Sequence, residues 1–168
     1  MGIHNFHTWL RNNHDGCFER MKNPIEVEHV YIDINFCLHM AVNGTNNEEI
    51  LFKKLFTIIK NMLKMISPTK SITLATDGPA PYAKLLLQRK RRLQTSRNIQ
   101  DNINENTISP LCFTPGTLFM KQIKEKLQPL IEHVAKKYKV TINELFSEYS
   151  GEAELKLVNQ LLETYKKE

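Results

Sequence analysis

SITLATDGPAPYAKLLLQRKRR, Ser71 to Arg92, joins a short apolar run to a basic helix through a single acidic residue. Ser71 to Thr76 is apolar and β-branched, the composition of a buried strand, so Asp77 falls where that strand stops. Gly78, Pro79 and Pro81 interrupt either regular structure, and a helix starts only after them, near Tyr82. Advancing about 100° per residue, this helix gathers Lys84, Gln88, Arg91 and Arg92 within an arc of roughly 100° and sets Leu86 and Leu93 almost opposite. The expectation is a helix with one basic face and one packing face.

Charge sharpens this reading. Between Gly78 and Gln100 stand six basic residues, Lys84, Arg89, Lys90, Arg91, Arg92 and Arg97, and no acidic one, in a chain whose net charge is +5. Basicity is therefore local, which favours an anion site over general stickiness. A solvated helix face is the plain alternative for any basic run. The neighbouring Asp77 argues against it, because a carboxylate beside a phosphate-sized basic pocket repels the ligand unless a divalent cation lies between them.

The 168 residues, 41% hydrophobic and 24% charged, suit a single folded domain over 1–168. Lys53, Lys54, Lys60 and Lys64 break the longest apolar stretch, Ile50 to Ile66, so no membrane partner is expected. MGIHNFHTWLRNN has no apolar leader, and a soluble, intracellular, cytoplasmic protein is expected. Phe6 stands where a myristoylation signal after Gly2 needs Ser or Thr, and Asn43-Gly44-Thr45 is read as a turn. Cys17, Cys37 and Cys112 read as free thiols. His4, His7, His14 and Cys17 repeat a spacing zinc could use, but without a CxxC they read as surface or packing residues.

Phe6, Trp9 and Leu10 give a stripe to a short N-terminal helix. Val30 to Ile34 reads as a strand ending around Asp33 and Asn35. An amphipathic helix follows from about Asn47 to Ile66, buried through Ile50, Leu51, Leu55, Ile58, Ile59, Met62 and Leu63, and Ser67-Pro68 closes it. Ile99 to Pro110 is polar and aperiodic, which suggests a mobile loop over about 99–113. Thr114-Pro115-Gly116 opens a helix carried by Leu118, Phe119, Ile123, Leu127, Ile131 and Val134, with a kink expected at Pro129. Lys139 to Asn143 is a third strand. A last helix runs from Gly151 with Leu155, Val158, Leu161 and Leu162 on its core side. Strands alternating with helices imply an α/β fold, a mainly parallel sheet flanked by helices on both faces.

In such sheets ligands bind outside the carboxyl ends of the strands, where Asp33 and Asp77 emerge. Glu152 and Glu154 follow the third strand and converge on the same end, although acidic residues at a helix start also serve as caps. Asp33, inside the apolar YIDI, is costly to bury without a cation or several hydrogen bonds. Gathered carboxylates repel unless a hard divalent ion such as Mg²⁺ or Mn²⁺ offsets them, and such a cluster beside a phosphate pocket suits attack on a phosphodiester. The residues alone thus point to a metal-dependent nuclease.

MGIHNFHTWL, YIDINFCLH, TDGPAPYAKLLLQRKRR, TPGTLFM and SGEAELK occur in an order and spacing that resembles the N-terminus of the Xrn-type 5′→3′ exoribonucleases, over nearly the entire chain. The resemblance implies a PIN-like α/β core, related to flap endonucleases, that degrades single-stranded RNA bearing a 5′-monophosphate to mononucleotides. It implies that Asp33, Asp77, Glu152 and Glu154 are the catalytic, metal-binding positions for Mg²⁺ or Mn²⁺. Lys84, Gln88, Arg91 and Arg92 match the 5′-phosphate pocket, His39 the residue that stacks on the terminal base, and Lys156 a neutraliser of nearby negative charge. Phe36 departs from the family's Gly, and the family's further metal-site aspartates and an aromatic partner for His39 lie beyond what the resemblance covers. Two expectations follow: an exoribonuclease whose four carboxylates hold at least one ion, alone or with a second polypeptide, or, as the alternative, a catalytically incomplete RNA 5′-end-binding module or one half of a split nuclease. A scaffold with an open sheet edge is a third.

Overall fold

The structure, a computed structural model, describes residues 3, 5–101 and 108–167. Its elements are α1 (Phe6–Asn13), β1 (Ile25–Asp33), α2 (Ile34–Ala41), α3 (Glu48–Met65), β2 (Ile66–Ala75), α4 (Tyr82–Asp101), α5 (Leu118–Tyr138), β3 (Thr141–Leu145) and α6 (Ala153–Lys167), with short 3-10 turns at Asp15–Cys17 and Pro110–Phe113. No helix among the described residues is long and apolar enough to cross a membrane.

The three strands are parallel in the order β1-β2-β3. Because that order never reverses, right-handed crossovers send α3 and α5 to the same face of the sheet. One core accordingly unites Ile32 of β1, Ile72 and Leu74 of β2, Leu38 of α2, Leu51 and Leu55 of α3, and Ile123 and Leu127 of α5. The two-residue alternation of a strand turns Thr73 and Ala75 to the opposite face, where both are fully buried. There α6 packs against β1 and β2, and Asn143 Nδ2 donates to Thr73 Oγ1 at 3.3 Å. The architecture is the expected one: α/β, a parallel sheet with helices on both faces.

Several elements differ from expectation, each for a physical reason. Ser67 and Pro68 lie inside β2 and do not close α3. Proline is tolerated because Ile66 to Pro68 pair with β1 alone, at a register shift, whereas β3 joins only from Ser71 onward. Ile34 begins α2, a helix absent from the periodicity reading because five of its eight residues are buried and no polar stripe marks it. Residues 99–101 continue α4, and Pro110–Phe113 form a turn with Phe113 buried; of the expected loop, 102–107 lie outside the described residues, as does His4 of the histidine set. Thr117, two residues after Pro115, caps α5 by accepting from the Met120 N–H, and α5 runs unbroken through Pro129. Leu118 is exposed, as are Ile50 and Met62 in part. The third strand starts at Thr141, two residues late.

The two helices nearest the strand ends are reversed in facing. On α6, Leu155, Val158, Leu161 and Leu162 are each about half exposed, while Ala153 and Lys156 are buried. On α4, Leu86 and Leu93 are 63% and 52% exposed, whereas Lys84, Gln88 and Arg92 are half-buried. The basic face of α4 is the inward one.

Candidate functional site

The segments that follow β2 and β3 are held together by a backbone clasp. Gly78 N–H donates to the Gly151 carbonyl at 2.9 Å, and Gly151 N–H donates to the Pro79 carbonyl at 3.0 Å. Glycine is required at both positions. A β-carbon on Gly78 would collide with the Tyr149 carbonyl oxygen and come within 3.2 Å of Lys156 Nζ. Gly151 sits at φ 96°, a conformation that side chains disfavour. The DGP and SGE motifs, far apart in sequence, are thereby fixed side by side.

Asp77 makes two of the bonds that organise this region, one as donor and one as acceptor. Its N–H donates to Asn35 Oδ1 at 3.0 Å, and its Oδ1 accepts from the Ala153 N–H at 2.9 Å, which caps the start of α6 from another segment. Asn35, 6% exposed, also donates through Nδ2 to the Phe113 carbonyl at 3.2 Å. Lys156 is buried beneath them and donates to the Thr76 and Phe146 carbonyls, both at 2.8 Å, tying the ends of β2 and β3 to α6. Burial pulls its ammonium below the usual lysine range, opposed by Asp77 and Glu148. Lys156 is thus a clamp on two carbonyls as well as a neighbour of the acids.

Asp33 ends β1 and caps α2 by accepting from the Phe36 N–H at 3.1 Å. Burial raises its carboxyl above the ordinary value, and repulsion from Asp77 and then Glu154 adds to this, while the N–H groups of Phe36 and Asn35 work against it. Asp33, Asp77 and Glu154 therefore share one electrostatic neighbourhood. The same burial, helped by Asp33, pushes the Cys37 thiol up to about 11, so it stays protonated and inert.

Glu152 faces elsewhere. Lys84 Nζ donates to its Oε2 at 2.5 Å and Gln88 Nε2 to its Oε1 at 3.4 Å, and Arg92 donates to Gln88 Oε1 at 3.1 Å. Beyond this pair opens a cleft of about 310 Å³ lined by His39, Asp77, Gln88, Arg91 and Arg92 together with Asn35, Thr95, Phe113 and Pro115. A larger cleft of about 550 Å³ lies on the other side of Gln88 and Arg92, lined by Gly78, Lys121 and Glu148 among others, and reaches neither His39 nor Asp77. His39 is exposed and meets the buried Phe113 ring edge-on, with centroids 5.4 Å apart.

The structure therefore brings His39, Asp77, Gln88, Arg91 and Arg92 to one cleft, sets Lys84 and Glu152 at its side, and places Asp77 and Glu154 within electrostatic reach of Asp33. The donor chemistry, four carboxylates, suits a hard divalent cation. Among the described residues, however, no three His, Cys, Asp or Glu side chains converge to hold an ion. Sequence reading missed Asn35 and Phe113 as members of the cleft. A buried asparagine two residues after a capping aspartate was the available signal.

Comparison with known proteins bears on the same segments. Over residues 1–168 the chain matches the family described as XRN 5′-3′ exonuclease N-terminus. The chain belongs to this family. Relatives of this XRN chain include 5′-3′ exoribonuclease 1 of Schizosaccharomyces pombe, 29% identical over 76% of this chain and 11% of the relative. The proteins of the same name from Homo sapiens and Saccharomyces cerevisiae are each 30% identical, over 76% and 80% of this chain and 9% and 10% of their own length. The XRN chain spans about a tenth of the length of the curated relatives it matches.

Proposed function

We propose that the chain grips the 5′-monophosphate end of single-stranded RNA and takes part in its metal-dependent 5′→3′ hydrolysis to mononucleotides. The observation that carries this is the cleft that Asp77 shares with His39, Gln88, Arg91 and Arg92. A helix of a small α/β protein ordinarily turns its apolar face inward. That α4 turns Lys84, Gln88 and Arg92 inward and leaves Leu86 and Leu93 in water argues that the basic face has a ligand to meet.

Each residue has a separable task. Lys84, Gln88, Arg91 and Arg92 bind and orient the terminal phosphate, with Arg92 held in register by Gln88. His39, braced on its edge by Phe113, offers a ring face to the first base. Asp33, Asp77, Glu152 and Glu154 have the donor chemistry for Mg²⁺ or Mn²⁺, but because no three of them converge as placed, holding the ion would require these side chains to turn together or a second polypeptide to add ligands; the ion, when bound, would supply Lewis acidity at the scissile phosphodiester. Asn35 and Lys156 fix the backbone on which Asp77 stands.

A second reading, an RNA 5′-end-binding module or one half of a split nuclease, is favoured by the engagement of Glu152 with Lys84 and by the absence of a three-donor set among the described residues. On this reading a second polypeptide supplies further acidic ligands and covers the half-exposed leucines of α6. The test is to incubate the purified chain with 5′-monophosphorylated RNA and Mg²⁺ or Mn²⁺, beside Asp77→Asn and Arg91→Ala variants. Asparagine keeps an acceptor for the Ala153 N–H, so lost cleavage in Asp77→Asn reports chemistry and not a lost cap. Cleavage abolished by that change supports the enzyme. Binding weakened by Arg91→Ala with no cleavage in any sample supports the module, and RNA binding indifferent to both variants refutes the site.

A further inference from the structure

The basic face of α4 already carries an anion of its own. Glu152 places one carboxylate oxygen 2.5 Å from Lys84 Nζ and the other 3.4 Å from Gln88 Nε2, and the two charged side chains are only 21% and 13% exposed. Two of the four groups read above as the phosphate pocket are thereby engaged from within, and a third, Arg92, is bonded to the second. An ordinary surface ion pair is loose and solvated. This one is half-buried, joins residues 68 positions apart, and reaches the amide as well as the ammonium, as an incoming phosphate oxygen would.

We propose that Glu152 is an internal competitor for the terminal phosphate: its carboxylate fills the Lys84–Gln88 end of the pocket, and an RNA end enters only by displacing it. The proposal rests on the reading of this face as a 5′-phosphate pocket and adds to it a cost that an entering phosphate has to meet. A terminal monophosphate has three acceptor oxygens and a charge between −1.5 and −2 near neutrality, so it outbids a carboxylate for Lys84 while keeping oxygens for Arg91 and Arg92. A 5′-hydroxyl brings no anion and leaves the Lys84–Glu152 pair closed, so its binding does not depend on Glu152. The carboxylate thus moderates the affinity of the pocket for a phosphate, while the preference for a phosphate comes from the attraction of the cations.

The prediction runs against intuition for a residue placed among acidic site positions, since removing its charge tightens ligand binding. Binding of 5′-phosphorylated and 5′-hydroxyl oligoribonucleotides is measured by fluorescence anisotropy on the full chain in EDTA, so that no metal ion contributes. Glu152→Gln is expected to tighten the phosphorylated RNA by about tenfold, within the range for coupled neighbouring charges, and to change the hydroxyl RNA by less than about twofold. Glu154→Gln, on an exposed residue with no bond to Lys84 or Gln88, is expected to give a much smaller gain. In a Lys84→Ala background the gain from Glu152→Gln disappears. Glu152→Ala serves as a second variant, expected to move in the same direction, and far-ultraviolet dichroism checks that both fold. Unchanged or weaker binding of phosphorylated RNA by both variants overturns the proposal, as does an equal gain for both RNA ends, which marks a general charge effect. If Lys84→Ala weakens phosphorylated RNA while Glu152→Gln does nothing, the pocket stands and the competitor falls. If Lys84→Ala has no effect and neither RNA end is preferred, the pocket reading itself fails.

Discussion

Gly78 and Asp33 show how single side chains set the terms of this site. Because a β-carbon on Gly78 meets the Tyr149 carbonyl, Gly78→Ala forces the two clasp strands apart and is expected to destabilise the chain by about 1–3 kcal/mol in chemical denaturation. Gly16, with open space around it, is the control, and Gly16→Ala is expected to be near neutral. Asp33 gives a pH signature. Its folded carboxyl lies above the ordinary 3.8, so the native state binds that proton more tightly than the unfolded chain. Stability therefore falls as pH rises through the window between 3.8 and the folded value, and the penalty is fully present above it. Asp33→Asn keeps the cap on Phe36 and removes the charge, so melting in EDTA is expected to show a gain near neutrality that vanishes below 3.8. A variant less stable than the parent near neutrality contradicts this. Asp33, Asp77 and the run that carries Lys84, Gln88, Arg91 and Arg92 stood out in the sequence, because an acid inside an apolar run and an acid-free basic stretch are local patterns. The pairing of Glu152 with Lys84 did not, since it joins residues 68 positions apart that only the fold brings together.

At the scale of elements, strand and helix order could be read from periodicity, but helix facing could be read only in part. For α3 the pattern worked: Leu51, Leu55, Ile59 and Leu63, one per turn, are all buried. For α4 and α6 the same rule put the leucines inside, and the structure has them outside. Periodicity reports that a helix has two faces; which one meets the core depends on what the other has to bind. The element most easily missed was α2, whose buried residues leave too little polar surface to mark a period. These facings predict an asymmetry in stability. Leu55→Ala is expected to cost about 2–5 kcal/mol, as for other large-to-small changes in a packed core. Leu86→Gln and Leu93→Gln on α4 are expected to stay within about 0.5 kcal/mol of the parent, as surface changes do. Urea titrations of the three variants check this, and a large loss from either α4 change would mean that this helix packs through its leucines.

Across the whole molecule, charge is concentrated to an unusual degree: six of the 23 basic residues fall between Gly78 and Gln100, and the net charge is only +5. RNA binding should therefore depend on salt only as strongly as a few contacts require. At about −0.7 per contact, Lys84, Arg91 and Arg92 give a log–log slope of roughly −2, and Arg91→Ala should make it shallower by about 0.7. A slope steeper than about −4 in anisotropy titrations would place further RNA contacts outside α4. The sheet brings this charge to the acids by a long-range route, since Asp77 is held by Asn35 on one side and by Ala153 on the other. Such dependence on a distant segment has a bearing on dissection of the protein. With Gly78 fastened to Gly151 through their main chains, any fragment cut between Leu145 and Gly151 would keep all three strands and yet lack the wall against which Asp77 is seated. Limited proteolysis in that stretch would therefore disarm the acid without removing a single strand.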